Sequence, residues 1–201
     1  EGSSLGIELT RSLEANGNVQ VITDGIRAVT PHGVVTDDGV ERPVDAIVFG
    51  TGFKVQDPIP PRTVIGKGGL DLAEVWKDGP EAYMGITVAG FPNFFMLMGP
   101  NTGLGHNSMV FMIESQAHYI IEAIKAMKEQ RIRALDVKPE VQKQFVDGVQ
   151  KELERTVWQS GCKSWYINEQ GRNTAAWPGF TFAYRLKTRR FNLKPYLSEP
   201  A

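Results

Sequence analysis

Cysteine is almost missing from this sequence: Cys162 is the only one in 201 residues. No internal disulfide can form, and a cysteine-rich metal site cannot be built; no metal ligand set is expected. A single thiol suits a reducing compartment, and the expected location is cytoplasmic. There is also no apolar run near the roughly 20 residues that a membrane-crossing helix needs, and the first residues lack the basic-then-apolar layout of a secretory signal. Charge of one sign is not in excess either: 22 Lys and Arg stand against 23 Asp and Glu, a net charge of -1. Such a chain has no field to steer nucleic acid or an anionic membrane, so neither is expected as a partner. Neither His32 nor His118 has a carboxylate at relay spacing, and Ser108 has no nucleophile-elbow context, which disfavours a hydrolase. The absence of a Cys-x-x-Cys pair disfavours thiol redox chemistry. The chain opens at Glu1-Gly2-Ser3-Ser4 without a methionine, as expected of a processed or truncated piece.

What is present is an ordinary globular composition, 41% hydrophobic and 22% charged, enough for one large domain or two small ones. Leu5, Ile7, Leu9 and Leu13 suit a short helix. Strands are expected at Val19 to Ile22, Ile26 to Val29, Gly33 to Thr36 and Asp45 to Phe49, with Asp38-Gly39 as the clearest turn. Ala46-Ile47-Val48-Phe49 is apolar at every position, the pattern of a strand covered on both faces. From Phe53 to Tyr83 the density of Pro and Gly predicts an ordered but irregular crossing. Phe94 to Met98 reads as a second buried strand. It runs into Gly99-Pro100-Asn101-Thr102-Gly103-Leu104-Gly105-His106-Asn107-Ser108 and then a helix from about Met109 to Glu129. The apolar stripe expected on that helix is Val110, Ile113, Ala117, Ile120, Ile121, Ile124 and Met127, with Asn107 or Ser108 as N-cap. A second amphipathic helix follows Pro139, carrying Val141, Phe145, Val149, Leu153 and Val157. Beyond Gly161 the chain is aromatic and basic, and Trp177, Phe180 and Phe182 are expected to pack at a core edge.

Glycines between a strand and a helix let a flat or phosphorylated ligand approach the backbone, because no Cβ intervenes. The helix N-terminus then offers free N–H groups and partial positive charge, suited to an anion or to the electron-rich edge of a reduced ring. The same loops connect strands to helices in many folds without any ligand. A lone His106 in such a loop is assigned no acid–base role, and no catalytic residue is named.

Taken in order, Asp45 to Phe53, Gly99 to Ser108 and Ser164-Trp165-Tyr166 resemble the second half of class B flavoprotein monooxygenases. The match runs from about Val19 to Tyr196. Ser164-Trp165-Tyr166 followed by Gly171-Arg172 and Trp177-Pro178 is most similar to the Baeyer–Villiger branch. The resemblance implies an α/β fold: a small sheet remnant of a FAD/NAD(P)-binding fold with a long helix and a helical, aromatic C-terminal region. Residues 1–55 would hold the junction of the NADPH and FAD domains, and 56–201 the C-terminal part of the FAD domain with a substrate-covering segment.

The same resemblance implies FAD and NADPH as cofactors, O2 as co-substrate, and a ketone or soft heteroatom compound as the small-molecule substrate. Gly50, Thr51 and Gly52 would fall on the interdomain turn, with Gly50 where the family has alanine. Asn107, Ser108 and Met109 would open the helix aimed at the flavin, Leu104, Gly105 and Met109 would line the ketone pocket, and Trp165 would contact the nicotinamide cofactor. The sequence lacks a Gly-x-Gly-x-x-Gly loop, the family's Phe-x-Gly-x-x-x-His-x-x-x-Trp fingerprint and its NADPH-domain arginine. The isolated chain is therefore expected to be inactive. An N- or S-oxygenating flavin monooxygenase and a non-enzymatic vestigial binding module are the alternatives. An uncovered aromatic face would favour homo-oligomers.

Overall fold

The computed structural model describes residues 15, 17, 19–50, 59–105, 107–156, 166–168 and 170–201. The expected helix at Leu5 to Leu13 lies outside them. The chain divides into two compact units, Glu1–Gly52 and Phe53–Ala201.

In the first unit, β1 (Ile26–Val29), β2 (Gly33–Thr36) and β3 (Glu41–Pro43) form an antiparallel meander in that order. The expected turn is there: Gly39 takes φ +79° and its N–H donates to the Thr36 carbonyl at 2.9 Å. Gly supplies that left-handed conformation without a Cβ clash. Arg42 of β3 reaches back to Asp38 at 2.8 Å, and this hydrogen bond holds the exposed carboxyl below its usual range. β3 itself was not expected. Two expected strands are corrected: Val19 to Ile22 and Asp45 to Phe49 carry no strand structure, and Val48 and Phe49 are 92% and 78% exposed. An all-apolar segment becomes a strand only where neighbours complete its ladder and cover its faces. The meander pairs within itself, and none of its strands pairs with 46–49.

The second unit opens with the expected irregular crossing. Over 59–83 it contains one turn of 3-10 helix at Lys67–Gly69 and the short α1 (Leu72–Val75), capped by the Asp71 carboxylate, which accepts from the Ala73 N–H at 3.1 Å. Leu72, Ala82, Val88 and Phe91 form a core of their own beneath it.

Phe94 to Met98 is not a strand, against expectation. Asn93, at φ +61°, takes the ladder position instead. Its N–H donates to the Leu135 carbonyl, its Oδ1 accepts from the Leu135 N–H and its Nδ2 donates to the Arg133 carbonyl, each at 2.9 Å. One residue's backbone and amide thus satisfy that stretch of the neighbouring strand, and the following residues turn away.

α2 (Met109–Glu129) starts and stops as expected, and α3 (Pro139–Leu153) follows with Pro139 at its start, where a missing N–H costs nothing. Between them lies β4 (Ile132–Val137), which pairs antiparallel with β5 (Tyr196–Pro200) from Ile132↔Pro200 to Val137↔Tyr196. α4 (Thr181–Thr188) completes the unit.

The buried face of α2 matches the expected one only in part: Ile120 and Met127 of the expected stripe pack against the core, but the fully buried positions are others. Met112, Ser115, Gln116, Tyr119 and Ala123 are buried, whereas Val110, Ile121 and Ile124 are more than half exposed. Tyr119 and Ala123 join Met84, Ile86, Leu135, Val137 and Tyr196 in one cluster, and Met112 joins Val149, Leu153, Ala176, Trp177 and Tyr184 in another. Two buried polar atoms on this face have backbone partners: the Ser115 hydroxyl donates to the Phe111 carbonyl at 2.7 Å, and Gln116 Oε1 accepts from the Met98 N–H at 2.9 Å, while Gln116 Nε2 is buried without a hydrogen-bond partner among the described residues. Trp177 packs as expected, but Phe180 and Phe182 are 69% and 59% exposed and stack on each other at 5.3 Å between ring centroids. No helix among the described residues is long and apolar enough to cross a membrane.

Candidate functional site at the start of α2

The loop from Gly99 to Ser108 is fixed from below by the segment 173–177. Asn101, buried and at φ +57°, donates its N–H to the Thr174 carbonyl at 2.8 Å, and its Nδ2 reaches the carbonyls of Asn173 (2.8 Å) and Ala176 (3.2 Å). Gly103 and Ala176 form a parallel bridge, through Gly103 N–H to the Ala175 carbonyl at 2.7 Å and Trp177 N–H to the Gly103 carbonyl at 2.8 Å. A Cβ on Gly103 would sit 2.8 Å from the Ala175 oxygen, so the approach requires glycine. Asn173 organises this segment. Its side chain is fully buried, and its Oδ1 accepts from the N–H groups of Ala175 (3.1 Å) and Ala176 (2.9 Å).

On this floor the loop turns into α2. The Leu104 N–H points at the Met109 sulfur at 3.2 Å. Asn107 Oδ1 accepts from the Ser108 N–H at 2.7 Å. Ser108 is the N-cap residue but makes no side-chain cap, and the first turn carries no acidic residue. The positive end of this 21-residue helix therefore has no side-chain cap from Ser108 and no carboxylate in its own first turn. Gly105, Asn107, Ser108 and Val110 are exposed around it, and Leu104 and Met109 are half-buried.

α4 lies along α2 in the same direction. Asn107 Nδ2 donates to the Thr181 hydroxyl at 3.1 Å, Arg185 donates to the Ser115 hydroxyl at 3.3 Å and stands 5.6 Å from the Phe111 ring centroid, and His118 Nε2 meets the Arg189 carbonyl at 3.0 Å. Pairing of 107, 115 and 118 with 181, 185 and 189 places both helix N-termini side by side. The first turn of α4 also lacks an acidic residue. Beneath it, burial pushes the Tyr184 hydroxyl above its ordinary range, and that hydroxyl donates to the Met84 carbonyl at 2.6 Å.

Of the residues singled out from sequence, Leu104, Gly105, Asn107, Ser108 and Met109 come together here. Gly50 is exposed in the first unit. Thr51, Gly52, His106 and Trp165 lie outside the described residues. Sequence reasoning missed Asn101, Asn173 and Thr181. Nothing local marks Asn101 and Thr181, whose side chains meet partners 72 to 75 residues away, whereas Asn173 acts on the N–H groups of Ala175 and Ala176, two and three residues on.

The sequence of this loop and its surroundings is shared with known proteins. A Baeyer–Villiger monooxygenase of Pseudomonas aeruginosa is 55% identical over 184 residues, 90% of this chain. The chain is homologous with a part of the Baeyer–Villiger monooxygenases. A second Baeyer–Villiger monooxygenase, from Streptomyces coelicolor, is 48% identical over 185 residues and likewise covers 90% of the chain. The chain spans about a third of the length of these relatives, 35% and 36%. No protein-family model matches it. Among solved structures, cyclohexanone monooxygenase from Rhodococcus sp. Phi1 bound to NADP+ superposes with a TM-score of 0.71 at 28% identity, covering 91% of this chain and 35% of that one. Steroid monooxygenase bound to NADP superposes with a TM-score of 0.73 at 26% identity, covering 92% and 36%. The mixed α/β architecture with small sheets is thus that of flavin monooxygenases.

Proposed function

We propose that this chain is part of an FAD- and NADPH-dependent monooxygenase that places one oxygen atom of O2 beside a ketone carbonyl or on a soft heteroatom. The observation that carries the reading is the 55% identity to a Baeyer–Villiger monooxygenase across 90% of the chain, which includes the glycine loop and the start of α2. The start of α2 fits the edge of a flavin. It offers helix N-terminal N–H groups, a partial positive charge with no acidic residue in the first turn and no side-chain cap from Ser108, and a glycine loop with little side-chain bulk. When bound, the flavin takes electrons from NADPH and carries the oxygen chemistry.

The chain's own contribution is orientation and shelter. The backbone at Asn107, Ser108 and Met109 would face the flavin ring where negative charge gathers on reduction. Leu104, Gly105 and Met109 would line the substrate side, where excluding water guards against wasteful release of hydrogen peroxide. Gly50, Thr51 and Gly52 would serve the junction between the NADPH and FAD domains within residues 1–55, and Trp165 in 56–201 would contact the nicotinamide. A cytoplasmic enzyme free to self-associate through its aromatic surface completes the proposal.

The test is direct. Protein expressed from the complete reading frame is expected to bind FAD and to oxidise NADPH faster when a ketone is added, with an ester or lactone as product. The isolated 201-residue chain is expected to do neither. Ketone-dependent NADPH oxidation by the isolated chain would overturn the assignment of a partial site. A complete protein that binds flavin but oxidises only thioethers or amines would move the assignment to the heteroatom-oxygenating alternative.

A further inference from the structure

The Asn107 side chain, at the start of α2, is already committed. Its Oδ1 accepts from the Ser108 N–H at 2.7 Å and its Nδ2 donates to the Thr181 hydroxyl at 3.1 Å. Thr181 is 8% exposed and stands at the first position of α4. It makes no cap bond for its own helix, which has no side-chain cap at all.

The two helices run in the same direction, an arrangement their dipoles oppose because like ends lie together. Something must therefore hold their N-termini in register. Farther along, Arg185 to Ser115 and His118 to the Arg189 carbonyl tie the helix bodies. At the N-terminal end, the Asn107–Thr181 bond is the one side-chain hydrogen bond between the two helices found among the described residues, beside the Arg185 guanidinium over the Phe111 ring. Asn107 in turn fixes the Ser108 N–H, the donor at the cap position.

We propose that Thr181 is a positioning residue that acts through Asn107 to hold the first turn of α2, and the N–H groups it directs outward, at a fixed angle to the flavin edge. This rests on the flavin reading above. Asn107 then serves the site as a latch, and the polar groups presented to the cofactor are backbone N–H groups. A helix terminus held rigidly favours the reduced, more negative ring over the oxidised one, because its charge is preorganised where negative charge develops. A terminus free to tilt loses that discrimination while still binding the oxidised ring.

The experiment compares the unaltered protein, from its complete reading frame, with Thr181→Val and Thr181→Ser. Each is measured for flavin content, thermal unfolding and the two-electron midpoint potential of the bound flavin. Valine keeps the shape of threonine and removes the hydroxyl, and serine keeps the hydroxyl. Thr181→Val is expected to retain flavin but to lose three- to tenfold in its preference for the reduced form. The upper figure is a fall of about 30 mV in the two-electron potential. Thr181→Ser is expected to restore the unaltered potential. If Thr181→Val does not fold, Thr181→Ala takes its place with the same expectation.

Equal potentials in flavin-loaded unaltered and hydroxyl-free proteins overturn the positioning role and leave the flavin reading standing. A complete unaltered protein that binds no flavin overturns both. A potential that falls equally in Thr181→Ser assigns the effect to packing and likewise overturns the role of the hydroxyl.

Discussion

The hydroxyls of Tyr119 on α2 and Tyr196 on β5 lie 3.2 Å apart in the centre of the second unit. Tyr196 also stands 3.5 Å from the Thr87 hydroxyl, and Tyr83 and Phe191 meet it at 6.1 and 5.4 Å between ring centroids. The pair joins the long helix to the end of the chain through a polar contact inside an apolar cluster, where an unpartnered hydroxyl would be costly. Tyr119→Phe is expected to destabilise the protein by about 1 kcal/mol, measured by denaturant unfolding.

Burial drives both hydroxyls above the ordinary tyrosine range, Tyr196 to about 12 and Tyr119 further. The folded state therefore keeps protons that the unfolded chain releases near pH ~10. This contribution to stability is complete below that pH and is lost as pH rises through the folded values. Unfolding should steepen with pH above ~10, and tyrosinate absorbance should rise together with the loss of structure. Ionisation of these tyrosines in a chain still folded at that pH would contradict the expectation.

Trp177 and Phe182 lie five residues apart, yet they should differ sharply in their cost of truncation. Trp177 is 4% exposed and meets Tyr184 edge-on at 5.2 Å, so Trp177→Ala is expected to cost about 3–5 kcal/mol. Phe182 is exposed and has the Phe180 stack to lose, so Phe182→Ala is expected to cost no more than about 1 kcal/mol. Comparable losses in thermal or denaturant melts would mean that Phe182 is covered in the protein tested.

Asn173 supports the floor of the candidate site with two accepted backbone bonds. Asn173→Ala leaves the Ala175 and Ala176 N–H groups without that acceptor and is expected to cost on the order of 1–3 kcal/mol. Because the same segment bridges Gly103, hydrogen exchange at the Gly103 and Trp177 amides should accelerate more than exchange in β4. Uniform acceleration across the unit would argue against this local role.

Gly85 has φ +63°, and a Cβ there would sit 2.8 Å from the Pro100 oxygen and collide with the Thr102 side chain. Gly85→Ala combines backbone strain with a clash against the loop that leads into α2. A loss above about 1 kcal/mol is expected by denaturant titration.

Local patterns were legible wherever hydrogen bonds are made between near neighbours. The periodicity of 109–129 set both ends of α2, Pro139 marked the start of α3, and Asp38-Gly39 marked the hairpin turn. The order of the glycine loop and the segments around it was enough to point to the flavin monooxygenases. The face of α2 was legible only in part, at Ile120 and Met127. Its sequence carries two stripes, and the more apolar one, with Val110, Ile121 and Ile124, is the more exposed. Burial went to Met112, Tyr119 and Ala123 because β4, β5, α3 and the 173–177 segment lie on that side, with the Ser115 hydroxyl and the Gln116 Oε1 bonded to local and loop backbone groups. The same reason separates the expected strands from the observed ones. Residues 46–49 and 94–98 are apolar enough for a sheet interior, but a strand exists only where another chain segment completes its ladder. The link between Thr181 and Asn107 was hidden in the same way, since 74 residues separate the two side chains and only packing of α4 along α2 brings them together.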